Sequence, residues 1–213
     1  NNYDFQRYNQ HNNTNIKENN MTQPLNTVVI NGSLHRPSRT GILLNEIEKQ
    51  ISKRVSLETE FIDLVDLVPY IGTALSTDHL NDYAKQTLTR IEQADFLIVG
   101  TPVFKGSIPG LCKHLFDLVD MNAIAGKPVL LAATGGSTRH ALMIDHQLRT
   151  LFGFFHALSL PAGVYATQED IQDGLISSTA LKQRLDLVAN LATPVLQGIA
   201  LQKQHNAEEL IPA

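Results

Sequence analysis

From Thr27 onward the chain repeats one pattern: a short unbroken apolar run, a turn, then a longer stretch with helical spacing. The first run is Thr27-Val28-Val29-Ile30-Asn31, closed by Gly32. Phe96-Leu97-Ile98-Val99 ends in Gly100-Thr101-Pro102, and Pro128 to Ala133 ends in Thr134-Gly135-Gly136. Two weaker runs, Thr59 to Leu64 and Gly163 to Ala166, complete five. Runs that are apolar throughout, rather than alternating, suit strands covered on both faces. The less apolar Thr59 to Leu64 reads as an edge strand.

The stretches between them carry one apolar face each. Leu43, Ile47 and Ile51 recur every fourth residue. Leu80, Tyr83, Ala84, Leu88, Ile91 and Ala94 trace a second face, and Leu111, Leu115, Leu118 and Val119 a third. Leu148, Leu151, Phe152 and Phe155 mark a fourth; Leu181, Leu185, Val188, Leu191 and Val195 mark the last. Strand–helix alternation of this kind demands right-handed crossovers and a three-layer α/β sandwich. Five strands predict a five-stranded parallel sheet of flavodoxin-like order 2-1-3-4-5, rather than the six-stranded dinucleotide order.

Composition settles what stands outside this pattern. Eight of residues 1–20 are asparagine and few are aliphatic, so residues 1–22 are expected to be a disordered extension and residues 23–213 one domain. The net charge of −4, with Lys and Arg not bunched, argues against a nucleic-acid surface. No apolar run approaches the roughly 18 residues of a membrane span. A single cysteine, Cys112, permits no intrachain disulfide and fits a reducing cytoplasm.

In an open α/β sheet, ligands sit beyond the carboxyl ends of the strands, where the strand order reverses. With order 2-1-3-4-5 that crevice lies between the first and third strands. The loops after the first, third and fourth strands therefore carry the chemistry.

After the first strand, Gly32-Ser33-Leu34-His35-Arg36-Pro37-Ser38-Arg39-Thr40 leads into a helix. A helix N-terminus with free amides holds a phosphate dianion. Ser33, Ser38 and Thr40 add hydroxyls, and Arg36 or Arg39 adds a charge-assisted contact. A capped turn would account for Ser38 alone, but not for this density of donors. Neither G-x-G-x-x-G nor G-x-x-x-x-G-K-[ST] is present, which disfavours a dinucleotide pyrophosphate or ATP here. After the third strand, Pro102, Val103, Phe104, Lys105 and Gly106 begin a loop stiffened by two prolines, suited to a flat heterocycle. After the fourth, Thr134, Gly135 and Gly136 allow close backbone approach.

Taken in order, Gly32-Ser33 through Ser38-Arg39, then Thr101-Pro102-Val103-Phe104-Lys105 with Gly110 and Lys113, then Ala133-Thr134-Gly135-Gly136, resemble the NADPH-dependent FMN reductase family. They are most similar to the flavin reductases of two-component alkanesulfonate monooxygenase systems. The resemblance covers about Thr27 to Thr167. It implies FMN phosphate in the first loop, the isoalloxazine ring against the other two, and NADPH or NADH as reductant. It also implies an FMNH2-dependent monooxygenase as partner, and a homodimer or homotetramer packed through the helix after the second loop. Many relatives carry Arg two residues after the Gly-Ser pair. Here His35 stands there with Arg36 next, and the sequence does not choose between them.

Hydride transfer between the two cofactors is their own chemistry, so no catalytic side chain is assigned. A backbone amide near Val103 to Lys105 is a candidate partner for the reduced ring. His140 and His146, six apart, do not share a helical face, and no metal site is expected. Asp117 and Asp120 read as a solvated helix face, and Cys112 as an inert buried thiol. Two rivals share the phosphate loop: a flavodoxin-type electron carrier, and a quinone or azo reductase with tightly bound FMN.

Overall fold

The computed structural model describes residues 23–209. The extension expected over residues 1–22 lies outside them, as do residues 210–213 of the expected domain.

The strands are β1 (Leu25–Asn31), β2 (Leu57–Asp63), β3 (Phe96–Pro102), β4 (Pro128–Gly135), β5 (Leu158–Ser159) and β6 (Val164–Thr167). The helices are α1 (Arg39–Ser52), α2 (Leu64–Ile71), α3 (Asp82–Gln93), α4 (Gly110–Asp117), α5 (Arg149–Phe154) and α6 (Thr179–Glu209). A π-helical turn, Ile144–Leu148, leads into α5. All pairings in the main sheet are parallel, in the order β2-β1-β3-β4-β5, with β6 also on β4. This is the flavodoxin-like order the sequence predicts.

The alternation of a strand decides which layer each side chain joins. Val28, Ile30, Leu97, Val99, Val129 and Leu131 face α2 to α5. Val29, Phe96, Ile98, Leu130 and Ala132 face α1 and α6. The central strands are thus buried on both faces, the physical meaning of their unbroken apolar runs. β2 lies at the edge, and its Phe61 is exposed.

Three local departures have physical causes. The fifth lane of the sheet is broken into β5 and β6, with Leu160 to Gly163 outside both strands and Leu160 N still donating to Val129 O on β4. The freed carbonyls are taken up by guanidinium groups: Arg149 donates to Leu160 O and Pro161 O, and Arg184 to Gly163 O. Leu64, read from sequence as part of the second strand, instead opens α2. Val65, Val68 and Pro69 disfavour helix locally, but burying Leu64, Leu67 and Ile71 outweighs that preference. Tyr83 and Leu191, read as core-facing, are largely exposed. Tyr83 packs edge-on against Tyr70, ring centroids 5.0 Å apart. Among the described residues, no helix is long and apolar enough to cross a membrane.

Candidate active site

The loop between β1 and α1 begins with a close crossing. Gly32 N donates to Gly100 O at 2.7 Å, and a Cβ on Gly32 would stand 2.7 Å from Cys112 Sγ. Only glycine lets the loop lie this close to β3 and α4. Cys112, wholly buried beneath it, has its thiol pushed up to about 11 by desolvation. Ser33 Oγ then folds onto its own loop, donating to His35 O and accepting from His35 N.

Ser38 is the N-cap of α1, its side chain accepting from Gly41 N at 3.1 Å. No acidic residue lies in the first turn of α1. The amides of Arg39 and Thr40 find no acceptor among the described residues, and the Arg39 side chain is exposed. Two open amides at the positive end of a 14-residue helix form an anion cradle. Thr40, buried, turns its hydroxyl to within 2.7 Å of the Thr134 hydroxyl. The first and third loops therefore meet.

The structure separates the two basic residues that the sequence left as alternatives. Arg36, in a loop with a cis Arg36–Pro37 peptide, turns away to two carboxylates. It donates to both oxygens of Asp66, at 2.8 and 2.5 Å, and to Asp63 at 2.5 Å. Hydrogen bonds to Asp66 and then Asp63 hold the guanidinium more firmly protonated, and Arg36 holds the Asp66 carboxyl below the usual carboxylate range. Its charge is already engaged by these two carboxylates. His35 has its ring 6.1 Å from that of Phe104.

The second loop is a tight reversal. Phe104 N donates to Ser107 O, and Ser107 N to Phe104 O. Lys105 and Gly106 occupy its centre with φ of +52° and +83°. Both angles are positive, as a turn of the I′ kind requires; Gly106 meets that without strain, while Lys105 is held there by the turn. Of the expected ring-facing amides, Val103 N is spent on Thr134 O at 2.7 Å and Phe104 N on Ser107 O. Lys105 N alone of the three finds no acceptor among the described residues. Gln147, on the π-helical turn, braces the loop from below: its Oε1 accepts from Ser107 Oγ at 2.8 Å and from Ile108 N at 3.2 Å.

In the third loop the two glycines serve different ends. A Cβ on Gly135 would lie 2.0 Å from Tyr165 Oη, so this glycine makes room for a tyrosine. Tyr165 in turn donates to Ser137 O at 2.7 Å. A Cβ on Gly136 would meet nothing within 4 Å, and the backbone there stays open.

The expected residues Ser38, Arg39, Thr40, Phe104, Lys105, Thr134 and Gly136 thus gather where strand order reverses. Sequence reading missed Asn31, Asp63, Gln147 and Tyr165. Only Tyr165 leaves a trace in sequence, as the partner a side-chain-free Gly135 requires.

The donor set fits a phosphorylated flat ring system, with an anion cradle, a turn offering an open amide, and Phe104 as apolar surface. A family model described as NADPH-dependent FMN reductase matches residues 25–172. The chain is 50% identical to the NADH-dependent FMN reductase SfnF of Pseudomonas fluorescens, over 82% of this chain and 94% of that one. It is 44% identical to an FMN reductase (NADPH) of Pseudomonas aeruginosa, over 84% of this chain and 96% of that one. A solved oxidoreductase from Corynebacterium diphtheriae superposes with a TM-score of 0.73 at 29% identity, covering 84% and 98% of the two chains.

Proposed function

This chain belongs to the NADPH-dependent FMN reductase family, and from that premise we propose that it is an NAD(P)H:FMN oxidoreductase releasing reduced flavin to a partner enzyme. Bound in this crevice, FMN would supply the redox chemistry as acceptor of the nicotinamide's hydride. The protein's share is binding, orientation and exclusion of water.

The observation that carries the reading is the joining of the anion cradle to the glycine loop by the Thr40–Thr134 contact, with Val103 N donating to Thr134 O to tie in the ring-sized turn. The amides of Arg39 and Thr40, with the Ser38 and Arg39 side chains, would hold the phosphate. The turn from Phe104 to Gly106 would face the ring, with Lys105 N offered to it, and Gly136 would let the opposite backbone approach. Trp is absent from the chain, and Phe104 is the aromatic side chain that these three loops offer. One ring face is thereby left open for a nicotinamide, and for departure of the product.

The partner fitting the resemblance is an FMNH2-dependent monooxygenase of the alkanesulfonate type, in the cytoplasm. The protein's own copies would pack through an apolar groove of about 930 Å³ between α4 and α5, lined by Phe116, Met121, Leu151, Phe154 and Phe155. A homodimer or homotetramer would cover that surface.

The deciding experiment is oxidation of NADH and NADPH by flavin-stripped protein, titrated with FMN. Saturable stimulation over many turnovers is expected. Stoichiometric FMN that survives dialysis, with added FMN changing nothing, would instead indicate a quinone or azo reductase. Arrest after one equivalent would indicate an electron carrier.

A further inference from the structure

Asp63 ends β2, one strand away from the phosphate loop and in register with Asn31 on β1. Its two oxygens do different things. Oδ1 accepts from Asn31 Nδ2 at 2.7 Å, and Oδ2 accepts from Arg36 at 2.5 Å. An ionised carboxylate only accepts, so Asn31 must present its NH2 to Asp63 and its oxygen elsewhere. That oxygen accepts from Ser33 N at 3.2 Å and lies 3.5 Å from Ser38 Oγ. One carboxylate therefore holds the loop at three places: at Arg36 directly, and at Ser33 and Ser38 through a side-chain amide whose orientation it dictates. Ser38 is the residue that caps α1.

On electrostatic grounds a carboxylate does not belong beside an anion site, where its charge opposes the ligand. Arg36 offsets that charge and is itself withdrawn from the phosphate. The exposed Arg36–Asp66 pair adds little by itself, since such pairs are screened by water. Asp63 differs from Asp66 because it also orients Asn31.

We propose that Asp63 is the positioning residue of the phosphate loop: by fixing Asn31 and Arg36 together, it sets the Ser33–Ser38 segment in its phosphate-binding form. This rests on the reading that the loop holds the phosphate of FMN.

The two effects of Asp63 have opposite signs in one variant. Asp63→Asn keeps the shape and removes the charge, but puts an NH2 in place of one of the two oxygens, so that either Asn31 Nδ2 or Arg36, both donors, loses its acceptor there. If charge repulsion dominated, Asp63→Asn would bind FMN more tightly. If positioning dominates, it binds FMN about tenfold more weakly while riboflavin, which has no phosphate, is little changed. The measurement is fluorescence titration of flavin-stripped protein with FMN and with riboflavin, for wild type, Asp63→Asn and Asp66→Asn. Asp66→Asn leaves the Asn31 contact intact and should shift the FMN-to-riboflavin ratio by less than about threefold. Asn31→Ala cuts the same path without touching Asp63, serves if Asp63→Asn does not fold, and should reproduce the selective loss. An unchanged or increased ratio in Asp63→Asn, or in Asn31→Ala, overturns the proposal. The double variant Ser38→Ala/Arg39→Ala tests the underlying reading separately. If that variant weakens both flavins equally, the loop does not bind phosphate, and the fault lies there rather than with Asp63.

Discussion

The hydroxyls of Thr40 and Thr134 lie 2.7 Å apart across 94 residues of sequence, and both side chains are buried. They tie the first turn of α1 to the end of β4, so the anion cradle and the glycine loop share one hydrogen bond. Replacing either threonine by valine leaves the other hydroxyl without this partner, at a cost of about 1–3 kcal/mol in stability. The double valine variant should recover part of that loss, since neither hydroxyl then remains. Urea unfolding of the three variants measures the coupling, and strictly additive losses would show that the contact contributes nothing.

Gly135 should not tolerate a methyl group. Gly135→Ala places its Cβ against Tyr165 Oη, and overpacking of this kind costs about 1–3 kcal/mol. Adding Tyr165→Phe removes the clashing oxygen, leaving the ring carbon Cζ at 3.1 Å as the next neighbour. Thermal melts should show a fall for the single variant and partial recovery for the double. A Gly135→Ala protein as stable as wild type would refute this account.

Gln147 is expected to govern the turn from Phe104 to Ser107, which the proposed function sets against the ring. Gln147→Ala deletes the acceptor of Ser107 Oγ and Ile108 N, whereas Gln147→Glu keeps an oxygen there. The alanine variant should raise the KM for FMN several-fold with kcat little changed, and the glutamate variant should restore most of it. Steady-state kinetics for both variants decides the matter. A loss shared equally by the two would mean that the acceptor is not what counts.

Cys112 makes stability sensitive to alkali. Burial raises its thiol from 9.0 to about 11, so the folded state keeps a proton that the unfolded chain gives up first. Its contribution is complete below pH 9 and is lost as pH climbs from 9 towards 11, by up to about 1.4 kcal/mol per pH unit. Cys112→Ala should flatten that part of the stability–pH curve, while introducing a small cavity that lowers stability at every pH. In the native protein the thiol should resist alkylation at pH 8, reacting only on unfolding. Rapid labelling of folded protein would contradict its burial beneath Gly32.

Much of the site was legible because its chemistry is local. Ser38 caps the helix that immediately follows it, and the Arg39 and Thr40 amides are open because any helix leaves its first amides unpaired. The turn at Lys105 and Gly106 likewise follows from neighbouring residues. Asp63 and Gln147 were not legible, since each acts on a loop roughly 30 to 40 residues away along the chain. Gly135 was legible as a special position, but its reason was not: the space it leaves is filled by Tyr165 from β6, rather than by a ligand.

By itself the sequence determined the three layers, the strand order and the three loops at the point of reversal. Each of these follows from the spacing of apolar residues and from turn chemistry within a few positions. Tertiary structure alone decided which charges remain free. Arg36 and Arg39 look equivalent in the sequence, three residues apart in one loop. The fold places two carboxylates against Arg36 and leaves Arg39 exposed at the open helix end. Parallel pairing of β1 with β2 brings Asp63 level with Asn31, and no local pattern encodes that register.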